Sequence, residues 1–177
     1  MKLKKLITAS VLTAAALMVF VLENQLPPLM LPGIKPGLAN IFTLFAMEAL
    51  GSGWAFGLLL TRILLGSAVT GQVSALIYGL SGGLAAYAGM LLLRRALRGD
   101  RLWVRSVFGA MLHNTAQLAA ASAVLGTAAV WYDLPVLLPV GILTGSLTGV
   151  SAQLCLKRLR QAGLLPAEKE KEGVAKE

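Results

Sequence analysis

The chain has 177 residues, of which 56% are hydrophobic and only 14% are charged, and its mean hydropathy is +0.74. Soluble domains carry about 25% charged residues, so this composition argues against a soluble enzyme and is typical of an integral membrane protein. The formal charge of +8 does not indicate nucleic-acid binding, because the basic residues stand at the ends of hydrophobic segments. The single cysteine, Cys155, offers neither an internal disulfide nor a metal site.

The hydrophobic segments predict about six transmembrane helices, because roughly 17–25 apolar residues span a bilayer as a helix. The first segment is too long for a signal-peptide core, and Glu-Asn-Gln-Leu-Pro-Pro follows it in place of a small-residue cleavage site. The second and third are short and are joined only by residues 51–53, which leaves five spans as the alternative. The predicted spans are residues 6–22, 37–50, 54–69, 73–93, 104–130 and 134–156.

The basic residues predict the orientation of these spans. If six spans alternate from a cytoplasmic N-terminus, 14 of the 16 Lys and Arg residues fall on the inner side, as the positive-inside rule requires. Only Lys35 falls in an outer loop, and Arg62 lies within a span. We therefore expect an all-α, polytopic bundle in the bacterial inner (plasma) membrane with both termini in the cytoplasm. Residues 1–160 form the membrane domain, and residues 161–177 form a charged cytoplasmic tail that we expect to be disordered.

Ionisable residues inside a membrane span are candidates for function, because each costs about 2.5–3.5 kcal/mol to insert. Arg62 lies about 12 Å into the third span, near the midplane. A permanent cation at this depth suits an anionic ligand, and a buried structural ion pair is the alternative. Glu48 lies close to the inner turn and is interpreted as structural.

The fifth span carries a second polar group, His113, Asn114 and Gln117. His113 and Gln117 are four residues apart and share a helix face, with Asn114 about 100° away. These side chains either recognise the polar part of a ligand or join the helix to its neighbours. A single histidine with these partners does not make a zinc site, so we expect no metal and no cofactor.

Small residues predict where helices pack closely. Gly141, Gly145 and Gly149 recur every fourth residue of the sixth span and form a groove on one face. The fourth span is also rich in glycine, which favours backbone-to-backbone packing of the later helices. On the first span, Ser10 and Ala14 form a single pair of small residues that would dock another helix.

The first outer loop, residues 23–36, contains four prolines and several apolar residues. We expect it to fold back onto the bundle as a partly buried cap, and a plain linker is the alternative.

Three motifs together resemble the Gx transporter family, which is also labelled heptaprenyl diphosphate synthase component I. They are Leu-Pro-Gly-Ile-Lys-Pro-Gly-Leu-Ala-Asn at 31–40, Gly-Ala-Met-Leu-His-Asn-Thr-Ala-Gln at 109–117, and the run of Gly141, Thr144 and Gly145. The likeness extends from the first span to the sixth. It implies kinship with the substrate-binding S components of energy-coupling-factor transporters. These six-helix proteins capture vitamins or similar small molecules from outside and associate with a transmembrane coupling subunit and two cytoplasmic ATPases.

Two departures qualify this resemblance. Ser10 and Ala14 stand where S components typically carry an Ala-xxx-Ala pair for docking the coupling subunit. Prenyl diphosphate synthases need aspartate-rich motifs that hold magnesium diphosphate, whereas this chain has only Asp100 and Asp133. We therefore expect no catalytic activity.

The resemblance and the interior polar residues together predict a substrate-binding membrane subunit of an uptake transporter. Its ligand would be a small molecule that is anionic or resembles an isoprenoid or a vitamin. The protein would lie in the lipid bilayer and associate with the coupling subunit and the ATPases. One alternative is a noncatalytic membrane component of heptaprenyl diphosphate or quinone isoprenoid synthesis, and another is a purely structural assembly partner. The expected ligand contacts are Lys35, Asn40, Arg62, His113, Asn114 and Gln117.

Overall fold

The computed structural model describes residues 2–25, 35, 37–97 and 101–165. The described segments are almost entirely helical and contain no strand, which confirms the predicted all-α fold. The fifth helix ends earlier than predicted, because Gly126 adopts a left-handed φ of 64° and a short 3₁₀ helix follows at Ala128–Asp133. The α-helices are α1 (Lys2–Gln25), α2 (Asn40–Ala49), α3 (Ser52–Thr70), α4 (Val73–Ala96), α5 (Leu102–Leu125) and α6 (Leu134–Gln161).

Four segments of the described chain are long and apolar enough to cross a membrane: Leu3–Gln25, Ser52–Thr70, Val73–Arg94 and Ala128–Gln161. They correspond to α1, α3, α4 and α6. Helix α5 is long enough at 24 residues, but its polar side chains lower its hydropathy. Helix α2 has only 10 residues and is about 15 Å long, half the roughly 30 Å thickness of a hydrocarbon core. The chain is a helical membrane protein, and six complete crossings stay a prediction.

The short helix α2 lies at the centre of the bundle. It contacts α1, α3, α4, α5 and α6, and most of its residues are buried. Helices α4, α5 and α6 pack side by side, whereas α1 packs mainly against α3. Much of α1 is therefore exposed, including Leu6, Val11 and Met18. In a membrane this apolar face meets lipid or another protein.

The glycines of α6 bring its backbone against that of α5. A Cβ atom added to Gly145 would lie 2.6 Å from Cα of Val107, and one added to Gly149 would lie 2.6 Å from Cα of Trp103. Between them, the hydroxyl oxygens of Ser106 and Thr148 are 2.9 Å apart and share a hydrogen bond.

The glycines of α4 do not pack in the way that the sequence predicts, which is against the backbones of other helices. They receive side chains of other helices: Gly83 accepts Leu59 and Ile63 of α3, and Gly89 lies against Leu112 of α5. The reason is that α3 and α5 place large side chains opposite the glycines of α4. These side chains occupy the space that each glycine leaves free.

A partly buried cluster of charged residues lies at the C-terminal end of α2. Glu48 lies 2.8 Å from the guanidinium of Arg105 on α5 and 3.5 Å from that of Arg94 on α4. Arg105 is one of the 14 basic residues assigned to the inner side; it is 3% exposed and lies in the first turn of α5. This cluster joins three helices, which fits the structural interpretation of Glu48.

The orientation expected from the basic residues predicts which loops reagents reach from outside. In a Cys155→Ser background, the Tyr132→Cys variant should react with a membrane-impermeant maleimide on intact cells, since Tyr132 is 87% exposed beside α6. The Arg101→Cys variant, at the opposite end of the bundle, should react only after permeabilisation. Labelling of the Arg101→Cys variant from outside would contradict a cytoplasmic N- and C-terminus.

The glycine groove predicts the effect of a single methyl group. The Gly145→Ala variant should lose about 1–3 kcal/mol of stability, because the added Cβ overlaps the α5 backbone. Gly57 is the matched control, since it is exposed on α3 and a Cβ there would meet no atom within 4 Å. The Gly57→Ala variant should be as stable as the wild type or more so. Equal melting temperatures of the two variants in detergent would show that Gly145 is not a close contact.

Candidate functional site

A small cavity lies where α1, α3, α4, α5 and the turn before α2 meet. Its volume is about 10 Å³, which is room for about one water molecule. Four of the six predicted ligand contacts line it. The lining residues are Phe20, Glu23, Lys35, Gly37, Arg62, Ile63, Gly79, His113 and Gln117.

Helix α2 begins beside this cavity, at mid-depth of the bundle. Its first residue, Asn40, is hydrogen-bonded to Arg62, the eleventh of the 19 residues of α3. A helix N-terminus carries partial positive charge and exposes unpaired backbone N–H groups. Such half-length helices with termini inside a membrane bundle form anion sites in transporters.

Glu23, on the last turn of α1, holds the start of α2. In the turn that leads into the helix, the carbonyl oxygen of Gly37 accepts from the amide of Asn40, which leaves the two amides between them free. Glu23 accepts both: Oε1 from the Leu38 amide at 2.7 Å and Oε2 from the Ala39 amide at 3.4 Å. Because both oxygens act as acceptors, the geometry fits the carboxylate form.

A chain of polar side chains runs across the inner wall of the cavity. Nη2 of Arg62 donates to Oδ1 of Asn40 at 2.6 Å, and Nδ2 of Asn40 lies 3.3 Å from Nδ1 of His113. Since the asparagine nitrogen is a donor, Nδ1 of His113 is the acceptor in this bond. Arg62 is 3% exposed, and its Nε has no hydrogen-bond partner among the described residues.

Lys35 forms the opposite wall, and its backbone is held by the side chain of Gln117. The Lys35 amide donates to Oε1 of Gln117 at 3.0 Å, and Nε2 of Gln117 donates to the Lys35 carbonyl oxygen at 3.2 Å. This pair of bonds directs the lysine side chain into the cavity. Its ammonium lies 3.7 Å from the centre of the Phe20 ring, a cation–π contact.

The Lys35 ammonium is buried without a hydrogen-bond acceptor in the described part of the chain; the residue is 7% exposed. The pKa of this ammonium falls to about 8, mainly because of burial and to a smaller extent because of the positive charge of Arg62. The negative charge of Glu23 opposes both effects. The lysine is therefore a cation at neutral pH whose charge is poorly compensated.

Glycines make room for the imidazole of His113. A Cβ atom at Gly37 would lie 2.9 Å from the ring, and one at Gly82 would lie 2.8 Å from it. Gly37 also has a φ of 77°, which side-chain-bearing residues rarely adopt. The Phe20 ring is seated in the same way, directly against Gly66 and Gly79. The position of each ring thus depends on the absence of a side chain opposite it.

Asn114 lies apart from the other predicted contacts. It is fully buried and donates from Nδ2 to the Leu137 carbonyl oxygen of α6 at 2.7 Å, beside Gly141. This bond joins α5 to α6. Of the predicted cap, residues 26–34 and 36 lie outside the described part of the chain, and the described Lys35 is buried against the bundle.

Sequence reasoning missed Phe20 and Glu23. Glu23 was assigned to the outer loop because the predicted first span ended at residue 22, whereas α1 continues to Gln25. One sequence signal could have identified Glu23: it is an acidic residue within one turn of a span end, next to a proline-rich segment that leads to another helix. The role of Phe20 depends on packing against two glycines of other helices, which one sequence does not reveal.

The described residues contain no cluster of three or more His, Cys, Asp or Glu side chains that would hold a metal ion. What the cavity offers is positive charge: two buried cations, a helix terminus and several N–H donors, with one carboxylate already in place. This arrangement suits reversible binding of an anionic group.

A family model described as heptaprenyl diphosphate synthase component I matches residues 12–155. The chain belongs to this family. The resemblance inferred from the three sequence motifs is confirmed. Comparison with curated proteins and with solved structures finds no match.

The depressed pKa of Lys35 predicts the pH dependence of stability for this family member. The folded protein disfavours the lysine proton, so stability should rise as the pH increases from about 8 to 10.5, where the unfolded lysine also loses its proton. The slope from this residue is at most about 1.4 kcal/mol per pH unit. The Lys35→Met variant should lack this rise, which chemical unfolding in detergent at several pH values measures. If stability rises equally with pH in the wild type and in the Lys35→Met variant, the rise does not come from Lys35.

Proposed function

We propose that this protein is a noncatalytic, substrate-binding subunit of an energy-coupling-factor-type uptake system, and that it binds a small anionic molecule. The observation that carries the proposal is the pair of buried cations, Lys35 and Arg62, which face a cavity and retain N–H groups without acceptors among the described residues. An unpaired, buried polar group costs about 1–3 kcal/mol, and more if charged. Such a cost is expected where a ligand supplies the missing acceptor.

A purely structural cluster would have a different form. At the C-terminal end of α2, Glu48 and Arg105 meet directly at 2.8 Å, although Nε of Arg105 also has no hydrogen-bond partner among the described residues. Around the cavity, Glu23 uses its oxygens on backbone amides, and the Lys35 ammonium faces an aromatic ring. The described structure therefore supports binding more than helix joining at this site.

The size of the cavity indicates what binding requires. Space for about one water molecule admits only a small ion, so a vitamin-sized ligand requires Lys35 and Phe20 to move apart. Two hydrogen bonds to Gln117 hold the Lys35 backbone, and breaking them would release this wall while Arg62 and His113 remain on their helices.

Transport would require partners. The sequence contains no GxxxxGK[ST] phosphate-binding motif, so ATP hydrolysis would come from another subunit. Ser10 and Ala14 are exposed on α1, amid apolar side chains such as Ile7, Val11 and Met18 that are more than half exposed. This face is available to a transmembrane coupling subunit.

The family description favours a second candidate, a noncatalytic membrane component of heptaprenyl diphosphate synthesis. In that case, a prenyl diphosphate synthase should copurify with the protein in place of ATPases. A prenyl diphosphate would then be the molecule bound in the cavity.

Native mass spectrometry of the protein purified from its own membrane tests the proposal. A bound small molecule should be present in the wild type and absent or strongly depleted in the Lys35→Met and Arg62→Gln variants. Losing one hydrogen bond to a charged group raises a dissociation constant roughly 10- to 150-fold. Arg101→Gln is the matched control, since this exposed arginine is far from the cavity and its loss should leave occupancy unchanged.

The melting temperature separates binding from structure in the same samples. The Lys35 ammonium donates no hydrogen bond to the described residues and its burial disfavours the charge, so the Lys35→Met variant should fold at least as stably as the wild type at neutral pH. A lower melting temperature with the bound molecule retained would make Lys35 structural and remove the main support for the proposal.

A further inference from the structure

The charges around the cavity do not cancel. Lys35 and Arg62 contribute two positive charges, and Glu23 contributes one negative charge. His113 accepts a hydrogen bond at Nδ1, as a neutral imidazole does, and every other lining residue is uncharged. The buried site therefore holds one net positive charge.

Glu23 occupies the place where a second negative charge of a ligand would otherwise bind. Its two oxygens take the free amides at the start of α2, the most favourable anion position on a helix. Donors without a partner among the described residues include the Lys35 ammonium and Nε of Arg62, and both are available to an anionic group.

We infer that the site takes a ligand with a single negative charge, such as a carboxylate, and discriminates against phosphate dianions and diphosphates. The inference rests on the proposed binding function and specifies its ligand class. A monoanion neutralises the site. A dianion leaves one negative charge uncompensated, next to the fixed carboxylate of Glu23, where poor solvation makes repulsion strong.

Two probes that differ mainly in charge test this inference: methanesulfonate, a monoanion, and sulfate, a dianion with a similar tetrahedral group. Both exceed the present cavity, so both require a similar opening, and the ratio of their affinities reports mainly charge. Thermal-shift titrations of the full chain in detergent, at constant ionic strength, measure the two dissociation constants. In the wild type, methanesulfonate should bind at least about tenfold more tightly than sulfate.

Sulfate is also the more strongly hydrated ion, so variants must show that the preference comes from Glu23. The Glu23→Gln variant keeps an acceptor oxygen for the α2 amides and raises the net charge of the site by one. In this variant, the ratio of the affinities for methanesulfonate and sulfate should shift by at least about tenfold toward sulfate. In the Lys35→Met variant, the affinity for methanesulfonate should fall at least about tenfold. The exposed-residue control Arg101→Gln should change neither constant.

Several results would overturn the inference: tighter binding of sulfate by the wild type, no binding of methanesulfonate at about 100 mM, or full affinity for it in the Lys35→Met variant. An unchanged ratio in a folded Glu23→Gln protein would do the same. If that variant does not fold, the Lys35→Met result decides. The proposed function fails separately. A copurified dianion would refute the preference for a monoanion, but the protein would still be a binding subunit. Selectivity for methanesulfonate without any copurified molecule would support the preference but argue against the transport role.

Discussion

The contact between the Glu23 carboxylate and the start of α2 is the constraint on which the candidate site depends. It fixes a half-length helix at mid-depth of the bundle by satisfying two backbone amides that water would not reach there. Once α2 starts at this level, Asn40 lies between Arg62 and His113 and orders both side chains. The same carboxylate lowers the electrostatic cost of burying two cations nearby. One acidic residue thus determines the position of a helix, the shape of the cavity and its net charge.

Two kinds of glycine packing give the site a firm side and an adjustable side. Where α6 meets α5, glycines face backbone atoms, and separation would open a gap along several turns. The His113 and Gln117 side of the cavity is built on this α5–α6 pair. On the other side, Phe20 rests against glycines of α3 and α4, and α1 is mostly exposed. A single side chain moves away from a glycine more easily than two closely packed helix backbones separate. Opening of the cavity is therefore expected on the side of α1 and the turn before α2.

The sequence predicted the helical fold, the family and four of the nine residues that line the cavity, because polar residues within apolar segments are easily recognised. Arg62, His113 and Gln117 were identifiable from depth and from four-residue spacing alone. Their partners were not, since a bond such as that from Gln117 to the Lys35 backbone spans 82 residues of chain. Asn114 illustrates the limit: it lies next to His113 in sequence, but a rotation of about 100° directs it to α6. Glu23 was missed because the end of an apolar run does not mark the end of a helix.

Two buried arginines, Arg62 and Arg105, show why partner geometry, rather than residue type, indicates function. Arg105 and Glu48 form a direct ion pair between helices, although Nε of Arg105, like that of Arg62, has no hydrogen-bond partner among the described residues. Arg62 lies near a carboxylate too, but Glu23 is committed to backbone amides and forms no direct ion pair in the described part of the chain. Neutralising Arg62 and Lys35 with a second internal acid would stabilise the protein and remove any capacity for an anion. A membrane bundle that retains one uncompensated buried cation keeps an electrostatic cost that an external anion relieves on binding.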